Sequence, residues 1–129
     1  PDRLHLLGLA QVRFGGAGNQ YARSVAVDSQ GNAIITGYIF GTIDFGGGPL
    51  VSAGPTGNSD VVVVKLTGSG GYKWSRRYGA TNDQDPRSVA VDAMNNIFVG
   101  GELGGTINFG PVTITASSSD DAFIAKLAP

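Results

Sequence analysis

The chain has 129 residues, of which 41% are hydrophobic and 15% are charged, a composition typical of one globular domain and not of a disordered chain. Nine Lys and Arg against ten Asp and Glu leave a net charge of -1, which argues against nucleic-acid binding because that function needs a basic surface. The absence of Cys excludes disulfide scaffolds and cysteine nucleophiles, and no apolar run is long enough for a membrane-spanning helix.

An internal repeat organises the sequence. The six residues 23–28, Arg-Ser-Val-Ala-Val-Asp, recur unchanged at 87–92, an offset of 64 residues. Between 14–46 and 78–110, 15 of 33 aligned pairs are identical. The offset falls to 61 at Asp60, which aligns with Asp121. Because insertions and deletions concentrate in loops, the length change places a loop between these two aligned blocks.

Each repeat predicts short strands, because runs rich in Val, Ile and aromatic residues are bounded by Gly, Asn, Asp and Ser. No segment keeps the apolar period of 3.6 residues that a helix needs, so no helix is predicted. The predicted strands, in chain order, cover 23–28, 33–38, 61–66, 72–78, 87–92, 97–102 and 122–127, with an additional small hairpin formed by 42–46 and 50–53.

The turns agree with this pattern. Gly31 in the first repeat is replaced by Asn95 in the second, and these are the residue types that best tolerate a positive φ. A unit of four antiparallel strands that repeats along a chain is typical of a propeller blade. The predicted fold class is therefore all-β, with two four-stranded antiparallel blade equivalents that are completed by oligomerisation or by a longer parent chain.

The sequence also resembles a known family. The residues that carry the resemblance are Tyr21 to Asn32, Thr36-Gly37, Asp60 with Lys65-Leu66, and Trp74 to Gly79, which together are similar to the bacterial beta-propeller repeat called SBBP. Members of that family are mostly modules of bacterial secreted or surface proteins, so the resemblance implies an extracellular or cell-surface location. The family pattern carries no catalytic residues, so the resemblance implies a protein that is not an enzyme.

The domain organisation follows from the repeat. Residues 1–14 are predicted to be the fourth strand of a neighbouring or closing blade, 15–78 the first blade, and 79–129 three strands of a second blade. Two stacked blades leave apolar faces at both ends. A head-to-tail contact between copies would complete them and close a cyclic homo-oligomer. We expect a trimer with six blades, with a dimer or a tetramer as the alternatives.

The paired residues Arg23/Arg87 and Asp28/Asp92 are the most conspicuous polar repeat. The functional interpretation is a ring of Arg side chains that binds an anionic ligand through forked hydrogen bonds. The structural interpretation is a repeated ion pair or turn contact, since Asp at the start of a turn accepts hydrogen bonds from backbone N–H groups. The second interpretation is favoured.

Polar residues also precede the first strand of each repeat. The alternating carboxylates Asp83 and Asp85 could ligate Ca²⁺, but the full EF-hand pattern is absent. We therefore expect a solvated loop, no metal and no cofactor. Long loops at one end of the blades are the expected place for a glycan or protein ligand. The candidate ligand-binding residues are Arg23, Arg87, Asn19, Gln20, Tyr21, Asp83, Gln84 and Asp85.

His5, the aromatic residues of one strand and several apolar side chains are interpreted as structural residues. His5, which lies among Leu residues, is interpreted as a strand residue and not as a ligand. The alternating aromatic residues Tyr72, Trp74 and Tyr78 could stack on a sugar or pack in the core, and packing is favoured. The side chains expected to be mostly buried are Val25, Val27, Val89, Val91, Ile35, Val62, Val64, Phe45, Phe109 and Phe123.

The function expected from the sequence is a non-enzymatic binding or structural module. The alternative is a lectin with one carbohydrate pocket per blade. An enzyme is the least favoured interpretation, because no candidate catalytic pair stands apart from the repeat.

Overall fold

The computed structural model describes residues 11–52, 58–79 and 82–129, and these form eleven strands and no helix. None of the described residues therefore lies in a helix that could cross a membrane. The strands are β1 (Gln20–Val27), β2 (Ala33–Ile39), β3 (Thr42–Asp44), β4 (Pro49–Val51), β5 (Asp60–Leu66), β6 (Tyr72–Tyr78), β7 (Gln84–Val91), β8 (Ile97–Leu103), β9 (Thr106–Asn108), β10 (Thr113–Thr115) and β11 (Asp121–Leu127).

Two antiparallel sheets contain the longer strands. The first sheet has the order β1-β2-β5-β6, and the second has the order β7-β8-β11. Each carries a small side hairpin, β3-β4 in the first repeat and β9-β10 in the second. All seven predicted long strands are present, and β6 has the predicted bounds. The strands β1 and β7 begin three residues earlier than predicted, and the hairpin β9-β10 was not predicted.

The central strand of the first sheet, β5, is buried along its whole length. Its run of four Val residues lacks polar alternation, and such a run is typical of a strand that is covered on both faces. Val61 and Val63 belong to the apolar cluster that joins the two sheets. Val62 and Val64 belong to a second cluster on the opposite face. The first sheet is therefore packed on both sides.

The tight turns are built by the repeated Asp. Asp28 Oδ1 accepts hydrogen bonds from Gln30 N at 2.9 Å and from Asn32 N at 2.8 Å, and Asp92 repeats both contacts in the second turn. Gly31 has φ 81° and Asn95 has φ 67°, as the exchange of Gly for Asn predicts. The turn-contact interpretation of these two Asp residues is confirmed.

The predicted core needs one correction. Val25 is 62% exposed and Val27 is 65% exposed, so their assignment to the core is wrong within one chain. Both lie on the face of β1 that points away from the second sheet, where the described residues supply no neighbouring sheet. Their counterpart Val89 lies against the first sheet and is buried. Of the other expected core residues, Ile35, Val91 and Phe109 are partly buried, and the remainder are buried.

The segment before the first sheet was predicted to be a strand. Residues 1–10, which include His5, lie outside the described part of the chain. Residues 11–14 are described and do not belong to a strand. Phe14 packs edge-on against Phe45, with 5.1 Å between the ring centroids, and so lies on the outer face of the first sheet.

Candidate functional site

The sheets hold a β-bulge at the same place in both repeats. The pairing of β1 with β2 shifts between Ala22 and Ser24, and that of β7 with β8 shifts between Pro86 and Ser88. The extra residue is Arg23 in one sheet and Arg87 in the other. Because a bulge leaves one residue unpaired and redirects its side chain, the repeated Arg residues leave the ladder and meet at the junction of the two sheets.

Each bulge depends on a glycine in the neighbouring strand. A Cβ on Gly37 would overlap the carbonyl oxygen of Tyr21, and a Cβ on Gly101 would overlap that of Asp85. The two strands therefore approach too closely at this point for any other residue. This close approach explains why Gly37 and Gly101 are repeated in the sequence.

The two Arg side chains share one carboxylate. Arg23 Nη2 lies 3.4 Å from Asp85 Oδ1, and Arg87 Nη2 lies 3.1 Å from Asp85 Oδ2. Arg87 also pairs with Glu102, whose Oε1 is 2.9 Å from Arg87 Nη2. Two cations and two anions leave the group electrically neutral.

Two tyrosines extend this group towards solvent. Tyr21 and Tyr38 stack with 4.7 Å between ring centroids. The Arg23 guanidinium lies over the Tyr38 ring at 5.1 Å and donates a long hydrogen bond to its hydroxyl at 3.4 Å. Tyr21 stays 43% exposed. The surface, here named the Arg23 cluster, consists of Arg23, Asp85, Arg87, Glu102, Tyr21 and Tyr38.

The remaining predicted ligand residues have other contacts. Gln84 is fully buried, and its Nε2 donates to the carbonyls of Gly104 and Thr106, both at 3.2 Å. Gln20 Nε2 donates to Thr42 O at 3.1 Å in the same way. Both amides therefore brace the side hairpins. Their assignment as ligand contacts stays a prediction.

The loops at this end are joined to one another by hydrogen bonds. Asp83 Oδ1 accepts from Ser59 N at 2.9 Å, and Asp83 O accepts from Gly104 N at 2.9 Å. In the first repeat, Asn19 O accepts from Phe40 N at 2.8 Å. Asn19 and Asp83 thus hold the loops that flank the Arg23 cluster. Their ligand role also stays a prediction.

Among the described residues, the three carboxylates whose pKa departs from the ordinary value all have it lowered. Burial raises the pKa of Asp28, but hydrogen bonds from Asn32, Lys65 and Gln30 outweigh burial and leave the pKa well below its usual range. A side-chain hydrogen bond from Asn96 lowers the pKa of Asp92, and the Ser117 backbone N–H lowers that of Asp121. These groups stay ionised at neutral pH and serve as caps of turns.

An apolar cleft lies on the outer face of the first sheet. It is a cleft of about 280 Å³ bordered by the segment 12–14. Its floor is apolar, because Ile35, Val62 and Val64 line it. Val25 pairs directly with Ile35, so the exposed Val25 continues this floor towards β1.

Three parts of the site were missed at the sequence level. The first is the bulge, for which the repeated Gly37 and Gly101 were the available signal. The second is Tyr38, which the repeat aligns with Glu102 and for which the sequence alone indicated no role. The third is Asn95, whose Oδ1 accepts from Ser29 N at 3.0 Å and whose Nδ2 donates to Ser29 Oγ at 2.8 Å, a contact between sheets with no sequence signal.

The sheets define a class of protein. Two antiparallel sheets of blade type, packed face to face and repeated along the chain, describe an all-β protein of the propeller type. The family model of the SBBP beta-propeller repeat matches residues 73–102, which run from β6 to β8. This match is consistent with the SBBP-type repeat that the resemblance implied. No curated protein matches the chain.

Proposed function

We propose that the chain is a non-enzymatic binding or structural module of a bacterial secreted or surface protein, and that it assembles into a ring of blades. The SBBP repeat supports a propeller-type binding or structural module. The proposal of an extracellular location follows from the family resemblance. The observation that carries the proposal is the Arg23 cluster, whose ion-paired and partly exposed side chains join the two sheets.

The chemistry of the described carboxylates supports a non-enzymatic role. A general acid at neutral pH needs a carboxyl group whose pKa is raised. The described carboxylates with shifted pKa values, Asp28, Asp92 and Asp121, have them lowered instead. These carboxylates cap turns. Asp85 is held between two guanidinium groups, and these ion pairs occupy both of its carboxylate oxygens.

The second candidate function is a carbohydrate-binding lectin. The stacked pair Tyr21 and Tyr38 favours it, because an exposed aromatic face beside charged hydrogen-bonding groups suits a polar ligand with one apolar side. The aromatic pair is not repeated, since Asp85 and Glu102 occupy its positions in the second repeat. The lectin proposal therefore has one site per chain, and not the one site per blade expected from the sequence.

A glycan array followed by titration calorimetry tests these two functions. If a glycan binds at the Arg23 cluster, Tyr21→Ala weakens the binding by about tenfold, which corresponds to roughly 1.4 kcal/mol. The matched control is Tyr72→Ala, because Tyr72 is similarly exposed at 38% and lies on β6, outside the Arg23 cluster.

The results separate the candidates. Silence of the whole array favours the structural module over the lectin. Equal weakening by both Tyr variants contradicts the Arg23 cluster as the binding site. Release of a cleaved sugar from any array hit would contradict the non-enzymatic proposal altogether.

A further inference from the structure

The interface between the two sheets has two halves. The first sheet contributes Val61 and Val63 of β5, and the second contributes Val89 of β7 and Phe123 of β11, all buried. Tyr78 at the end of β6 covers this interface, with its ring 5.0 Å from that of Phe109. The face that holds Val61 and Val63 is named the leading face, and the face that holds Val89 and Phe123 is named the trailing face.

Each of these two faces has an aligned counterpart elsewhere in the chain. Both counterparts are open, which means that no sheet formed by the described residues covers them. The repeat aligns Val89 with Val25, so the outer side of the first sheet is a second trailing face. It aligns Val63 with Ile124, so the outer side of the second sheet is a second leading face. Val63 is fully buried, whereas Ile124 is 73% exposed.

The open trailing face is already shaped like the closed one. Phe14 lies on Phe45 at 5.1 Å, and the repeat aligns these rings with Tyr78 and Phe109. The segment before the first sheet therefore sits where the last strand of a preceding blade would end. An apolar cleft of about 280 Å³ lies between this segment and Ile35. Its lining aligns with residues of the internal cluster to which Val61 and Val63 belong.

The open leading face carries a pair of charged residues that aligns with the charged pair buried in the internal interface. Inside the chain, Lys65 Nζ lies 3.1 Å from Asp28 Oδ2, and both side chains are buried. The repeat aligns this pair with Lys126 and Asp92. A side-chain hydrogen bond from Asn96 contributes most to the lowered pKa of Asp92, and the charge of the exposed Lys126 adds a smaller lowering. Lys126 lies over the Phe98 ring at 5.8 Å, and the aligned pair of opposite charges is therefore present on this exposed face.

We propose that the open leading face of one copy packs against the open trailing face of the next, so that a second copy of the chain repeats the internal sheet-to-sheet interface. The inference rests on the ring assembly proposed above and names its contact surfaces. The contact is heterologous, because two different faces meet, and a heterologous contact generates rings when the rotation closes.

Two further contacts follow from the same alignment. Within the chain, Arg77 Nη1 lies 2.9 Å from Asp60 Oδ2 and joins β6 to β5. The aligned residues are Arg13 and Asp121, so Arg13 of one copy is expected beside Asp121 of its neighbour. Among the described strands, β11 is an edge strand of the second sheet, and the segment that carries Arg13 is expected beside this edge.

The interface between copies lacks one internal contact. Ser29 and Asn95 clasp the two sheets within a chain, but the aligned residues are Ala93 and Gly31, which have no polar side-chain atoms. The contact between copies is therefore weaker than the contact within a copy. This difference makes dissociation possible without unfolding.

The experiment uses two full-length variants, Val25→Glu and Ile124→Glu, measured by light scattering during size exclusion. Both side chains are mostly exposed in one chain, so circular dichroism should show unchanged folding. The unmodified chain should have a mass that is a multiple of 13.2 kDa. Each variant alone should have a mass of 13.2 kDa, because one of its two faces is blocked by a buried charge.

Mixing the variants gives the decisive result. The Val25→Glu chain keeps its leading face and the Ile124→Glu chain keeps its trailing face, so the mixture should form a heterodimer. The matched control is Lys73→Glu, an exposed charge reversal on β6 that should leave the assembly unchanged.

Three outcomes contradict the proposal. Variants that stay assembled would overturn these contact surfaces while leaving ring assembly intact. A mixture that stays monomeric would overturn the head-to-tail geometry. An unmodified chain that is a well-folded monomer would overturn ring assembly as well, and would assign the open faces to further blades of a longer chain.

Discussion

The buried ion pair between Lys65 and Asp28 gives a sharp test of the fold. The two atoms are 3.1 Å apart, and the side chains are only 8% and 1% exposed. The substitution Lys65→Met keeps the aliphatic stem and removes the ammonium group. The Asp28 carboxylate then stays buried without its cation, which typically costs about 3–5 kcal/mol.

The lower end of that range applies here. Asp28 keeps its hydrogen bonds from Gln30 and Asn32, and these stabilise the charge when Lys65 is gone. We therefore expect a loss of about 3 kcal/mol in the free energy of unfolding. With a urea dependence of about 2 kcal/mol per molar, the unfolding midpoint should fall by roughly 1.5 M.

Urea unfolding followed by circular dichroism measures the change, with all chains at one protein concentration because assembly contributes to apparent stability. The control is Lys73→Met on the outer strand β6, where the side chain is exposed and the change should be within about 0.5 kcal/mol. Equal midpoints for the two variants would refute the claim that Lys65 and Asp28 form a stabilising buried pair.

The remaining predictions concern pH, one turn and the inter-sheet core. The pKa of Asp28 is lowered in the folded chain, so the stabilisation that this carboxylate provides is present above the ordinary carboxyl pKa and is lost as the pH falls below about 5. Urea midpoints measured at a series of acidic pH values should show this loss, and a flat profile would contradict it. Gly31→Ala meets no atom within 4 Å, so positive φ alone should cost about 1 kcal/mol, and an unchanged thermal midpoint would refute the strain. Phe109→Ala should cost about 2–3 kcal/mol, below the usual value for a fully buried ring, because Phe109 is partly exposed; a neutral result in thermal unfolding would remove it from the core.

The repeat made most of the fold predictable. Val61 to Val64 predicted a strand covered on both faces, and β5 is such a strand. The exchange of Gly31 for Asn95 predicted a positive φ at both turns. These features are local, because each depends on the chemistry of a few neighbouring residues.

Features that depend on two repeats at once were less predictable. The ion pair of Arg23 with Asp85 joins residues far apart in sequence, and their meeting depends on how the two sheets pack. The side chains of Gln20 and Gln84 are repeated because they brace hairpins, a role that resembles a binding role when only the sequence is read.

The exposure of Val25 also depends on how sheets pack, and the sequence did not predict it. Val25 and Val27 alternate with Ala26 and so correctly indicate an apolar face of the strand. The sequence pattern does not say whether the sheet that covers this face belongs to the same chain. The aligned Val89 is buried by the first sheet, whereas Val25 has no such neighbour within the described residues.

Native mass spectrometry of the unmodified 129-residue chain tests the central claim most directly. If the open faces of successive copies repeat the internal interface, the spectrum should show one closed assembly, with three chains of 13.2 kDa each as the expected species. Only even totals of blades are allowed, so two or four chains would keep the interface and change the ring size. A spectrum that contains only folded single chains would contradict the account.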